Sequence, residues 1–245
     1  MIDIHSHILA EVDDGPKSWE TAVQMCRMAA EDGVEYMVAT PHANDRYHYD
    51  REYLTGALQH LRGLIGDTNL RIGLGCDFHF SYDNLQDALV RPERYVIEQT
   101  KYLLVELSNY SVPLQITDSL KLLLEKNLVP ILTHPERNPI LQKNTQRVLE
   151  WVNAGVVIQV TGSALTGQWG DVVRQSAEWL LHHQAVHVLA SDAHDTKHRV
   201  PGLSAARRAA AALVGEDVAG ALVDRNPRAI INNKSLPYSP RPAMK

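Results

Sequence analysis

The chain has 245 residues, 44% of them hydrophobic and 22% charged, with a net charge of -5. That length suits one large domain, an α/β barrel included. The acidic balance speaks against a nucleic-acid backbone as partner, because neutralising phosphates takes a basic surface. The two cysteines, Cys26 and Cys76, form neither a CxxC pair nor a disulfide framework, and read as reduced, buried thiols. Neither begins a CxxxxxR motif, so a cysteine-based phosphatase is not expected. Met1-Ile2-Asp3-Ile4-His5 opens without a basic segment leading into an apolar one, and no run approaches the roughly 18 apolar residues that span a bilayer. No signal peptide, no membrane insertion and a cytoplasmic location are the expectations.

In chain order, Ile2–Ile4 reads as a first short strand. Trp19 to Asp32 comes next, with Trp19, Ala22, Val23, Cys26 and Ala29 at helical spacing and Gly33 as a stop. Tyr36 to Thr40 is a buried strand ended by Pro41. Residues 51–65 are helical, Leu70 to Leu74 is a strand, and Tyr102 to Leu107 is a very apolar one. Thr117–Lys126 is helical, Val129–Thr133 a strand, Gln146–Asn153 helical up to Gly155, and Val156–Val160 a strand. Val172–His182 is helical, Val186–Ala190 is the last strand, and two or three helices close the chain. Apolar strands separated by helices predict a parallel sheet covered on both faces. The expected form is a single-domain α/β barrel of seven strands, with an open doubly wound sheet as the alternative. Residues 1–234 form the domain. The proline-bearing segment 235–245 reads as a poorly ordered tail.

The chemistry lies at the C-terminal ends of the strands. In order, these ends carry His5-Ser6-His7, Pro41-His42, Cys76-Asp77, Glu106, His134-Pro135-Glu136-Arg137 and Ser191-Asp192-Ala193-His194. Only the sixth strand, ending Thr161-Gly162-Ser163, lacks a metal-binding side chain. In a parallel barrel these ends share one face. Ionisable groups gathered there are costly to bury unless divalent cations neutralise the carboxylates and accept the imidazoles. Residues two apart on a strand point the same way, so His5 with His7, and Asp192 with His194, can each grip one metal. A carboxylate inside an apolar strand needs a partner, which favours Glu106 and Asp77 as ligands. Asp14, in Asp13-Asp14-Gly15-Pro16, competes with a plain turn or helix-cap reading.

Arg137, three residues after His134, suits a bidentate clamp on a phosphoryl group, and Arg199 comes after His194 on the same loop. His60, His182, His183 and His187 read as structural, while His48, His79 and His198 lie in loops near the mouth. Trp19, Trp151 and Trp179 fall in helical stretches, and Trp169 sits on a loop at the pocket's border.

Taken together, MIDIHSHILAEVDDGPKS (1–18), VATPHAN (38–44), LVELS (104–108), THPERN (133–138), VTGSALTGQWG (160–170) and ASDAH (190–194) resemble the PHP (polymerase and histidinol phosphatase) superfamily. The likeness is nearest to its bacterial, manganese-dependent protein-tyrosine phosphatases of capsule and exopolysaccharide synthesis, and it runs almost the whole chain, to NPRAIINN (226–233). The resemblance implies a distorted seven-stranded (β/α) barrel holding three divalent metals. His5, His7, Asp77 and Asp192 would bind one. Asp77 would bridge to a second, completed by Glu106 and His134. Asp14, His42 and His194 would hold the third. Manganese is the expected ion, and the same oxygen and imidazole donors admit Fe, Mg, Zn or Co. Two departures stand out: Asp77 occupies a bridging position where Glu is common, and Ala43 stands where relatives often carry another His.

The implied reaction is hydrolysis of a phosphate monoester by metal-activated water, in line with the leaving tyrosine oxygen and without a covalent enzyme intermediate. Arg137 and Arg199 would stabilise the equatorial oxygens. His42 or His194 would serve as general acid only where not tied to metal. The implied substrate is a phosphotyrosine protein, the disordered tyrosine-rich tail of a bacterial tyrosine autokinase. The alternatives are a small-molecule phosphatase such as histidinol phosphatase, a polymerase-associated nuclease module, a metal amidohydrolase, and a non-catalytic metal-stabilised binding module.

Overall fold

The computed structural model describes residues 1–66 and 68–243. Its strands are β1 (Ile2–Ser6), β2 (Tyr36–Ala39), β3 (His42–Ala43), β4 (Arg71–Leu74), β5 (Asp77–His79), β6 (Tyr102–Glu106), β7 (Val129–Thr133), β8 (Val157–Thr161) and β9 (Val188–Ala190). All neighbouring strands are parallel. They form one sheet of order β1-β2-β4 and a second of order β3-β5-β6-β7-β8-β9.

Where seven strands in one ring are expected, the described residues show nine strands in two parallel sheets. The extra strands arise from two interruptions. Thr40 and Pro41 separate β2 from β3, and Pro41 has no N–H to donate to a ladder. Gly75 and Cys76 separate β4 from β5. Backbone hydrogen bonds cross both gaps: Thr40 N–H to Ser6 O at 2.8 Å, Gly75 N–H to Ala39 O at 2.8 Å, and Asp77 N–H to Pro41 O at 3.1 Å. At the opposite margins, Asp192 N–H reaches His5 O at 2.9 Å and His7 N–H reaches Ala193 O at 2.8 Å.

The predicted helices form for legible reasons. Ser18 caps Trp19–Glu31 by accepting the Thr21 N–H, and Ala22, Met25, Cys26 and Ala29 make its buried stripe. Asp50 caps Arg51–Ile65 through the N–H groups of Glu52 and Tyr53, burying Leu54, Leu58, Leu61 and Ile65. Between Leu74 and Tyr102 lie β5 and the Ser81-capped helix Tyr82–Val90.

Ile2, Ile4, Val38, Leu104, Ile131 and Val188 form an apolar cluster among the strands, every one fully buried. Each such side chain contributes roughly 1.5–3 kcal/mol relative to exposure. Trp151 is buried as its helical setting suggests, with its indole N–H on Thr117 Oγ1 at 2.9 Å. In the C-terminal segment, the Tyr238 backbone exchanges hydrogen bonds with the Asn226 side chain at 2.7 and 3.0 Å, and Pro242 O accepts from Asn153 at 3.2 Å. No helix of the described residues is long and apolar enough to cross a membrane. The packed strands leave their C-terminal ends converging on one face, which is where the polar side chains gather.

Candidate metal centre

Every ligand candidate read from the sequence arrives at this face. His5 lies near the end of β1 and His7 just beyond it; their Nε2 atoms lie 3.4 Å apart. Asp192, in a left-handed backbone at φ 52°, places Oδ1 at 3.3 Å from His5 Nε2 and 3.5 Å from His7 Nε2. Asp77 opens β5, with Oδ2 at 3.0 Å from His42 Nδ1 and 3.6 Å from His5 Nε2. Glu106 closes β6 and reaches His42 Nδ1 at 3.6 Å and His134 Nε2 at 3.7 Å. Asp14 lies 3.4 Å from His42 Nε2 and 3.3 Å from His194 Nε2.

Four overlapping groups result, each with donor atoms within 4.8 Å of one another: His5, His7 and Asp192; His5, Asp77 and His134; His42, Asp77 and Glu106; and His7, Asp14, His42 and His194. The division differs from the expected sets: His134 falls with His5 and Asp77 and not with Glu106, and Asp77 lies outside the group of His5, His7 and Asp192. His7 also approaches the Asp14 group, and His42 also approaches Asp77 and Glu106. The Asp14 side chain is 44% exposed against 1% for Asp77, so the Asp14 end of the cluster opens to solvent.

The donor set fits divalent cations. Asp77 Oδ1 and Oδ2, His42 Nδ1 and His194 Nε2 are buried with no hydrogen-bond partner among the described residues. Buried polar atoms left this way are costly and rare. Here several converge, and they are the carboxylate and imidazole atoms that ligate metals.

Protonation reflects the same crowding. Burial opposes charging His5, yet Asp192 and Asp77 outweigh it and push its pKa up to about 9. Burial likewise opposes charging His42, but Asp14, Asp77 and Glu106 raise it to about 11. His194 goes the other way, lowered to about 4 by burial and by His7. Burial also depresses His134 well below its ordinary value, helped by Arg137. Asp77 and Asp192 resist burial because His5 and their other cationic neighbours hold them well below the usual carboxylate range.

Arg137 and Arg199 converge on one atom, Asp192 Oδ2: Arg137 through Nη1, and Arg199 through Nη2 at 2.5 Å. Arg199 Nε is a buried donor with no partner among the described residues. His79, read as a peripheral histidine, sits 3.4 Å from Glu106. His48 and His198 are exposed.

Two supporting residues escaped the sequence reading. Gln159, in the middle of β8, holds His5 Nδ1 at 2.9 Å, and Asp13 holds His7 Nδ1 at 2.7 Å. Both leave Nε2 facing the cluster, as the outer partners of metal-binding histidines do. Gln159 carried a usable signal, a polar side chain inside an apolar parallel strand. Asp13 was masked by its neighbour Asp14. The sixth strand of the sequence reading, apparently silent, thus supports the site through Gln159 and through Thr161, whose Oγ1 lies 3.4 Å from Arg137 Nη1.

A family model described as capsular polysaccharide synthesis, CpsB/CapC, matches residues 1–232. The putative tyrosine-protein phosphatase CapC of Staphylococcus aureus is 32% identical over 202 residues, covering 81% of this chain and 79% of that protein. The tyrosine-protein phosphatase CpsB of Streptococcus pneumoniae is 30% identical over 244 residues, covering 96% and 100%. A solved structure, from work on YwqE of Bacillus subtilis and CpsB of Streptococcus pneumoniae as metal-dependent tyrosine phosphatases, superposes with a TM-score of 0.92 at 27% identity over all of both chains.

Proposed function

The chain belongs to the CpsB/CapC capsular polysaccharide synthesis family, and on that premise we propose that it is a metal-dependent protein-tyrosine phosphatase. The observation that carries this reading is the convergence of buried Asp77, His42 and His194 atoms, without a hydrogen bond among the described residues, on a face that also holds Arg137 and Arg199. In this reading His5, His7, Asp77, Asp192, Glu106, His134, Asp14, His42 and His194 hold divalent ions, three in number and manganese by preference. Residues 1–234 are the catalytic domain. The two sheets are one distorted seven-stranded barrel, a reading supported by the hydrogen bonds that bridge both interruptions and both margins.

Bound divalent ions supply positive charge for the phosphoryl oxygens and lower the pKa of water. The chain's own groups do the rest. Arg137 and Arg199 present planar guanidinium donors that match a phosphoryl group bidentately. Asp192 keeps both of them oriented towards the cluster. The buried walls exclude bulk water and strengthen these contacts. Neither thiol competes as nucleophile: burial pushes Cys26 up to about 12 and Cys76 well above its ordinary value. Tyrosinate leaves without a strong acid, so no general acid is essential; His42 or His194 would serve as one only where it is not tied to metal. The substrate is a phosphotyrosine protein, taken here as the flexible tyrosine-rich tail of a bacterial tyrosine autokinase.

The test is hydrolysis of a phosphotyrosine peptide, a phosphoserine peptide and histidinol phosphate by metal-stripped protein with and without added Mn. Metal-dependent turnover of phosphotyrosine alone is expected. Preferential turnover of histidinol phosphate would move the substrate to the small-molecule class, and full activity after verified metal removal would sink the mechanism.

A further inference from the structure

Trp169 lies outside the ligand set, yet both arginines rest against it. The Arg137 guanidinium carbon sits 4.0 Å from the centre of the Trp169 ring and that of Arg199 sits 5.5 Å from it. The ring is itself anchored. Its Nε1–H donates to Ser163 Oγ at 2.9 Å, and the preceding residue, Gln168, donates from Nε2 to the backbone oxygen of His198, next to Arg199. Gly167 and Gly170 flank the turn at φ 84° and 85°, a left-handed backbone that residues with a side chain rarely adopt. The turn that follows β8 and the short helix Gly162–Leu165 thus brings an aromatic face against both arginines and is pinned to the loop that carries Arg199.

The geometry points to Trp169 as a positioning residue that holds Arg137 and Arg199 in one orientation towards a single phosphoryl group. An arginine has many rotamers, and free rotation would cost the bidentate geometry its advantage. Stacking on tryptophan removes that freedom through cation–π attraction while leaving the edge N–H donors open. Asp192 fixes one end of each guanidinium and Trp169 fixes its plane. The inference rests on the reading of the two arginines as phosphoryl-binding groups.

The experiment compares Trp169→Leu, Trp169→Phe and Ser163→Ala in the wild-type background and in an Arg137→Ala/Arg199→Ala background. It measures kcat and KM for a phosphotyrosine peptide, inhibition by inorganic phosphate, and bound Mn. Trp169→Leu is expected to lower kcat/KM about tenfold and to weaken phosphate inhibition, with Mn content unchanged. Trp169→Phe should recover most of that loss because it keeps an aromatic face. In the doubly substituted background, Trp169→Leu should add little. An equal loss in both backgrounds, or no loss in the wild type, overturns the proposal. If Trp169→Leu does not fold, Ser163→Ala, which keeps the ring and removes its anchor, carries the same comparison with a smaller loss. Unchanged kcat/KM and phosphate inhibition in the Arg137→Ala/Arg199→Ala protein alone would instead refute the phosphoryl-clamp reading beneath it.

Discussion

Asp13 and Asp14 are adjacent in the chain and divided in their contacts. The Asp13 carboxylate is buried and accepts from His7 Nδ1 at 2.7 Å, Gly15 N–H at 2.9 Å and His42 N–H at 3.3 Å. The Asp14 carboxylate faces outward between His42 and His194. One acid orients a ligand and the other is a ligand in the proposed site. Asp13→Ala should therefore weaken metal binding about 10- to 100-fold while excess metal restores activity. Metal titration of the stripped protein, monitored by activity and bound metal, checks this. An unchanged titration curve would remove Asp13 from the support of the site.

Metal removal should be visible in stability as well as in rate. Ions that bind only the folded chain add about 2.7 kcal/mol at a hundredfold excess over Kd, a rise of several degrees in Tm for a domain of this size. Thermal unfolding of the stripped protein with increasing Mn should show that rise. A Tm that ignores Mn would mean the converging carboxylates and imidazoles are satisfied by one another.

Much of this arrangement is readable in the sequence. Apolar runs such as Tyr102–Leu107 and Val129–Thr133 announce parallel strands, and the polar residues at their C-terminal ends announce the candidate site. Less accessible are features set by contacts across the fold. Pro41 announces that a strand ends, but nothing local to it or to Gly75-Cys76 says that a further strand resumes beyond. The sharing of His7 and His42 between groups depends on ring placements 4.4 Å apart, which no spacing rule supplies. Gln159 shows the middle case, since its burial in an apolar strand called for a partner without naming His5.

Arg137 meets Asp192, Thr161 and the Trp169 ring together. Arg137→Lys keeps the charge and loses the planar fork, so it is no conservative change. Arg137→Ala should lower kcat/KM by about 10²–10³, and Arg137→Lys should recover only part. Steady-state kinetics at fixed metal content decide this. Full activity in Arg137→Lys would reduce the role of Arg137 to a point charge.

His187 gives the fold a pH dependence at the opposite end of β9 from the site. It is 5% exposed, and its Nδ1 accepts the Ile158 N–H at 3.0 Å, which requires that nitrogen to be unprotonated. Burial lowers its pKa from 6.5 to about 3. Its folded pKa thus lies below its unfolded one, so the unfolded chain binds the proton first as pH falls. Its contribution is fully present above pH 6.5 and is lost progressively from there down towards pH 3. At pH 5 the loss is about 2 kcal/mol. Denaturant unfolding between pH 8 and pH 5 should show that loss in the native chain and a shallower one in His187→Asn, the difference between the two isolating this residue from the histidines of the metal centre. Parallel slopes would show that His187 is protonated as readily in the folded chain as in the unfolded one.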